Sequence, residues 1–332
     1  MKLLISNYLN EEWMFKKKLH NRLLWRIPYE ELKEIGWNVM NRRELNKKHN
    51  IKTIIKKKYN EFPSVILYWF QSEYFYKDTI KEIQNFCKEE NIICIGYIDD
   101  LHYNTNNERN EYISQIINGY NSCILSSYKY VYDKYHTSND KIEWLPHCFY
   151  DKYVVKFNNN PKQKLLLTGV IDKTVYPMRN YVYQLMKHGQ DMKNKIDCKK
   201  YPGYKNPKHN ICGKKYIDLL NEYLVCFTCC STTDTPYIIS KFFEIPGSGS
   251  LLLAYDENIK DQLKDIGFID GHNYISVTEE NFVDKMNYVL DSKNRQEIDI
   301  IRYNGYELID NKHLLSHRAE RIDSIVNSML GE

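Results

Sequence analysis

Short apolar runs rich in β-formers alternate with helix-patterned stretches along most of the chain. That alternation confines it to α/β folds with mostly parallel sheets covered on both faces. In the first half, Ser64–Phe70 and Ile92–Ile98 read as buried strands and Ser122–Ser126 as a shorter third. Tyr76–Glu90 places Ile80, Ile83, Phe86 and Cys87 on one helical face, and Glu111–Asn118 predicts another helix. Glu143–Leu145 then leads into Pro146-His147, which reads as a hinge, and the polar tract Asn158–Pro161 predicts a linker. Beyond it the pattern restarts. Strands are expected over Lys164–Leu167, Tyr223–Cys229, Leu251–Tyr255 and Asn273–Val277. Helices are expected over Met178–Lys187, Tyr216–Asn221, Pro236–Glu244, Glu279–Leu290, Asn294–Leu308 and Leu314–Met329. The length, 332 residues, exceeds one comfortable core and suits two domains of about 150 residues each.

Composition narrows the function classes. The formal charge of +4 argues against a dedicated nucleic-acid binder, whose domain is usually strongly basic. The apolar run MKLLIS is too short for a signal-peptide core, and no stretch approaches the about 20 apolar residues of a membrane helix. With nine cysteines, an odd count, the chain reads as reduced and cytoplasmic (host cytoplasm for a viral chain). Cys226, Cys229 and the adjacent Cys230 sit in an apolar strand and read as buried thiols rather than half of a zinc site. The 29 tyrosines and many lysines follow an A/T-rich codon bias, so an isolated Tyr or Lys carries little weight. One basic stretch stands out. Arg42–Lys58 holds eight basic residues against Glu44 alone, which suits an anionic acceptor or a membrane surface, or simply a solvated helix face.

The most informative segment is Thr233–Tyr255, TDTPYIISKFFEIPGSGSLLLAY. Thr233, Asp234 or Thr235 can cap a helix, and Pro236 suits its first turn. Lys241 and Glu244 are three apart and share a helical face, while Pro246, Gly247 and Gly249 end the helix before an apolar strand. A carboxylate can accept two hydrogen bonds from adjacent ribose hydroxyls, and a lysine near a helix start suits a diphosphate. The plainer alternative is an amphipathic helix with an i,i+3 ion pair.

This segment resembles the donor-site signature of GT-B glycosyltransferases of the group 1 family, related to family 4 and including the CgeB-like branch. The pattern there is Lys or Arg, two apolar residues, Glu, small residues, Gly and an apolar strand, matched by Lys241, Phe242, Phe243, Glu244, Gly249 and Leu251–Leu253. Tyr274–Val277 followed by Glu279–Leu290, and His317-Arg318-Ala319 in the last helix, resemble later family elements. The resemblance spans about Lys164–Met329 and implies two Rossmann-like, doubly wound domains facing a cleft. The expected division is an acceptor-side domain over residues 1–155, a donor domain over 161–311 and a crossover helix over 312–332. The family's additional Glu, eight positions before the ribose Glu, is Pro236 here.

Three other constellations fit the same reading. Leu165–Arg179 runs from a strand through Thr168-Gly169 into a helix start. Gly169 would let a ligand approach the backbone, and Lys173 and Arg179 would meet its diphosphate. Asp99-Asp100-Leu101-His102 closes a parallel strand, the edge where open α/β sheets bind ligands. Asp100 and His102 are the candidate catalytic pair. Tyr204, in Tyr201-Pro202-Gly203-Tyr204, would stack on the nucleotide base. The implied function is transfer of a sugar, with retention, from a nucleotide-diphosphate donor to a glycan or glycoprotein hydroxyl. No cofactor or bound metal is expected, and a UDP-sugar is slightly favoured. Two other readings stay open: a degenerate GT-B protein that binds without turnover, and a Rossmann-like interaction module that uses its basic surface.

Overall fold

The computed structural model describes residues 1–6, 27–45, 50–69, 77–98, 123–130, 142–200, 211, 213–230 and 236–332. Asp100, His102 and Tyr204, the helix expected over Glu111–Asn118, and Lys47 and Lys48 of the basic stretch lie outside them. The chain divides into two compact units. One takes Ile27–Pro146 with the amino-terminal strand and Ser316–Glu332, and the other takes His147–Leu315.

The first unit holds a six-stranded parallel sheet in the order β2-β1-β3-β4-β5-β6. The strands are β1 (Lys2–Ser6), β2 (Asn38–Asn41), β3 (Val65–Trp69), β4 (Ile93–Tyr97), β5 (Ile124–Ser126) and β6 (Ile142–Trp144). Register pairs Trp69 with Tyr97, and their rings stack 3.8 Å apart. Among the described residues three helices precede Pro146: α1 (Tyr29–Glu34), α2 (Ile51–Tyr59) and α3 (Lys77–Glu89). Helix α2, the core of the basic stretch, turns Ile51 and Ile55 inward. Lys52 pairs with Glu90, and Lys58 lies 2.6 Å from Glu44, so two of its lysines have acidic partners.

The second unit holds a five-stranded parallel sheet, β11-β10-β9-β7-β8. Its strands are β7 (Lys162–Gly169), β8 (Ile196–Lys200), β9 (Tyr223–Cys229), β10 (Leu251–Tyr255) and β11 (Ile275–Val277). The helices are α4 (Pro177–His188), α5 (Met192–Lys195), α6 (Lys214–Asn221), α7 (Lys241–Gly247), α8 (Lys260–Asp265), α9 (Phe282–Leu290) and α10 (Arg295–Lys312). Alternate strand residues Leu165, Leu167, Val225, Phe227, Leu251 and Leu253 pack with Met178 and Val182 of α4 and Phe282 and Met286 of α9. The chain passes from β7 to β8 on one side and to β9 on the other. The strand order therefore reverses between β7 and β9, where open α/β sheets form their ligand crevice.

One expected feature differs. The tract expected as a linker packs on the second unit. Asn158 donates to the Asn221 carbonyl at 2.9 Å, and its own carbonyl accepts from Arg302 at 3.1 Å. The last helix, α11 (Leu315–Leu330), the expected crossover helix, groups with the first unit's core. Its Ala319, Ile322 and Val326 cover Leu4, Val65, Leu67 and Ile95, and Asp323 binds Lys2 at 2.8 Å and the Trp37 indole N–H at 2.6 Å. The linker tract differs because a polar run in the sequence does not show which carbonyls and amides its side chains and backbone will meet.

Gly247, the last residue of α7, lies under the ring of Phe149, where an added Cβ would come within 2.6–2.9 Å of three ring atoms. Gly247→Ala is expected to destabilise the protein by about 1–3 kcal/mol through this overpacking, read as a lower urea midpoint at unchanged m-value.

Candidate donor site

The site is assembled at the carboxyl ends of β7 and β9. After β7 the chain turns at Gly169, whose φ of +106° is readily open only to glycine. Asp172 then accepts hydrogen bonds from the backbone N–H groups of Thr174 and Val175 at 2.7 and 2.8 Å, and these hold its carboxyl below the usual range. Pro177 opens α4, so Arg179 falls in the helix's first turn, 2% exposed. Its guanidinium lies 3.9 Å from the Tyr176 ring centroid and donates to the carbonyls of Val170 at 3.2 Å and Cys229 at 3.3 Å. Arg179 thereby ties the ends of β7 and β9 together across the point of strand reversal. Its Nε is buried with no hydrogen-bond partner among the described residues.

Lys241 reaches the same point from α7. That helix starts at Lys241, not at Pro236 as the sequence pattern suggests, and Ser240 at its start makes no side-chain capping bond. The Pro236 carbonyl accepts from Gln262 at 3.2 Å, a tertiary bond that takes it out of a helical ladder. Lys241 Nζ donates to the hydroxyls of Thr168 at 2.7 Å and Tyr216 at 2.6 Å, and these two hydroxyls lie 2.9 Å apart. The i,i+3 spacing with Glu244 does not produce an ion pair. Among the described residues Lys241 has hydroxyl partners and no carboxylate partner. Glu244 is 3% exposed within α7.

These contacts set the charges. Loss of hydration, and then the neighbouring Arg179 guanidinium, push Lys241 down to about 8, against the opposing pull of Glu244. Burial, and then Glu244, push the phenol of Tyr216 well up. Burial also pushes the thiols of Cys226 and Cys230 up to about 12. Among the described residues no group of three or more His, Cys, Asp or Glu side chains is arranged to hold a metal ion.

The structure therefore brings Gly169, Arg179 and Lys241 together, with Glu244 one helical turn away. Lys173 stands exposed on the loop after Gly169. Gly249 is elsewhere. It follows α7 at a φ of +81°, its Cβ position is 3.1 Å from the Phe157 ring, and its carbonyl accepts from Arg302 Nε at 3.1 Å and Nη2 at 2.7 Å. Its constraint is backbone packing, away from the cations. The sequence names Thr168 only as the residue before Gly169, and nothing in it singles out Tyr216. The high tyrosine count masks Tyr216, and its position one turn after Gly213, at the start of α6, was the signal available.

The family model described as glycosyl transferase-like matches residues 174–324. A glycosyltransferase from Rickettsia africae matches at 14% identity with a TM-score of 0.59, over 99% of this chain and 98% of its own. HepE from Anabaena, solved with UDP and glucose, matches at 11% identity and TM-score 0.55, over 99% and 100%. The chain has the GT-B fold. A third GT-B neighbour, an α-glucosyltransferase solved with UDP and a 13-mer DNA, matches at 13% identity and TM-score 0.58, over 98% and 100%. No curated protein matches the chain in sequence.

A Cβ at residue 169 would meet Arg179 Nη1 at 3.0 Å and Lys241 Cε at 3.3 Å, whereas one at Gly271, also at positive φ, would meet nothing within 4 Å. Gly169→Ala is expected to cost about 2–4 kcal/mol and Gly271→Ala about 1–2 kcal/mol, compared by chemical denaturation. Equal costs would show that the cations do not press on residue 169.

Proposed function

We propose that this chain is a glycosyltransferase that takes a sugar from a nucleotide-diphosphate donor bound in its second unit and passes it to an acceptor hydroxyl. One observation carries the reading. Two cations, Arg179 and Lys241, converge on a side-chain-free turn at the strand-reversal point of a parallel sheet, and neither has a carboxylate partner among the described residues. Such a place suits an anion that approaches the backbone closely.

In this reading the acceptor oxygen attacks the anomeric carbon while the bond from that carbon to the diphosphate oxygen breaks. Negative charge develops on the departing diphosphate. Arg179 and Lys241 stand ready to stabilise it, worth more in a water-poor site than in solvent, so a bound metal is not required. Glu244 holds the ribose hydroxyls, Tyr204 stacks on the base, and Asp100 and His102 serve the acceptor hydroxyl. The donor is favoured to carry UDP, the nucleotide with which two of the fold neighbours were solved. The acceptor is proposed to be a glycan or a protein-linked glycan. The fold itself does not choose it, since sites and not folds determine acceptors.

A thermal-shift panel of UDP-, GDP-, TDP- and CMP-sugars tests the donor. A bound donor at 100 times its Kd adds about 2.7 kcal/mol of stability. Glu244→Ala is expected to weaken donor affinity by about 10- to 100-fold through the loss of charge-assisted hydrogen bonds. Glu280, exposed and hydrogen-bonded to Thr278, serves as the control, and Glu280→Ala should leave affinity unchanged. Equal affinities of the two variants in a calorimetric titration would remove Glu244 from the site. Release of nucleotide from the bound donor separates a transferase from a protein that binds without turnover.

A further inference from the structure

Lys241 is an unusual lysine even for a phosphate site. Its side chain is half-buried, lies beside a guanidinium, and its Nζ meets only two neutral hydroxyls among the described residues. An ammonium carries three hydrogens, and Thr168 and Tyr216 accept at most two of them. A charge buried beside a like charge, without an opposite one in contact, favours losing its proton. The diphosphate that the preceding subsection places here would supply the missing opposite charge.

We propose that donor binding is coupled to proton uptake: without donor the site holds Lys241 partly as a neutral amine at mildly alkaline pH, and the arriving diphosphate draws a proton from solvent onto that neutral fraction of Nζ. The proton comes from the buffer, and no bond other than N–H is made. The inference rests on the donor-site reading and adds a property that a permanently charged cation would lack.

The groups that face Lys241 leave it as the titrating member. From α4 comes the guanidinium of Arg179. From α6 comes Tyr216, whose phenol burial and Glu244 push up, so it stays protonated. From β9 come Cys226, pushed up to about 12, and Cys229, raised by burial, so both stay thiols. From β7 comes Thr168, which does not titrate. On α7 itself Glu244 raises Lys241 but by less than hydration loss and Arg179 lower it, which leaves it at about 8. The sign follows. Binding moves the lysine's proton affinity upward, so uptake is small below about pH 7 and grows as pH rises through about 8.

The test is calorimetric titration of the full chain with UDP-glucose, or with GDP-mannose or TDP-glucose if that does not bind. Runs in HEPES and in Tris at one pH count protons from the difference in apparent enthalpy. The diphosphate of a nucleotide-sugar has no titrating oxygen in this range, so it adds none of its own. The expected uptake is about half a proton per donor at pH 8.0, falling toward zero at pH 6.5, while Kd weakens toward about tenfold per pH unit above 8. Lys241→Arg, which cannot titrate, should still bind donor but take up no proton. Tyr216→Phe removes an acceptor of the ammonium and should shift the onset of uptake to lower pH. Donor binding with no uptake at pH 8.0, or uptake that survives in Lys241→Arg, overturns the inference and leaves the donor site standing. Binding of none of the three donors overturns the donor site itself, and the inference with it.

Discussion

Everything in the candidate site depends on one missing side chain. Gly169 ends β7 at a φ of +106°, and the space a Cβ would take is occupied by Arg179 Nη1 at 3.0 Å and Lys241 Cε at 3.3 Å. Two cations from different helices can meet there only because residue 169 offers neither bulk nor a backbone preference against that turn. The parallel sheet does the rest. With strands aligned in one direction, the ends of β7 and β9 come level. Arg179 can then bond to the Val170 and Cys229 carbonyls at once.

That arrangement is costly for the folded protein and useful for a ligand. Loss of hydration, and then repulsion from Arg179, favour the neutral lysine, which lies behind its fall to about 8. The neighbouring scaffold is built in the opposite way, with its cation satisfied. Arg302, also buried, donates to the Gly249 and Asn158 carbonyls and pairs with Asp299. It fixes the segment at Asn158 and the turn after α7. One buried arginine is used as a strut, while the pair at Gly169 has no carboxylate contact among the described residues.

Much of this was legible in advance where local pattern and tertiary environment agree. Strands such as Tyr223–Cys229 and Leu251–Tyr255 are continuous apolar runs that only a sheet buried on both faces can use, and both appear with the expected bounds. The start of α7 was not legible. Pro236 and the capping residues before it form a good local start signal, yet Gln262 claims the Pro236 carbonyl and the helix begins five residues later. Tyr216 was hidden by composition, because in a chain with 29 tyrosines none stands out. Gly249 belongs to the expected site only through the resemblance to the donor-site pattern, and a glycine there marks a close approach. That approach is to Phe157 and Arg302.

The sequence by itself determined the α/β class, the two parallel sheets, and the residue types from which an anion site could be made. Those follow from period, burial pattern and side-chain chemistry, which are local. Only the tertiary structure decided that Lys241 turns to Thr168 and Tyr216 and not to Glu244, that Arg179 shares its glycine, and that the last helix closes the first unit's core. Those facts depend on which strand ends stand side by side. Strand order is a long-range property that no stretch of sequence carries alone.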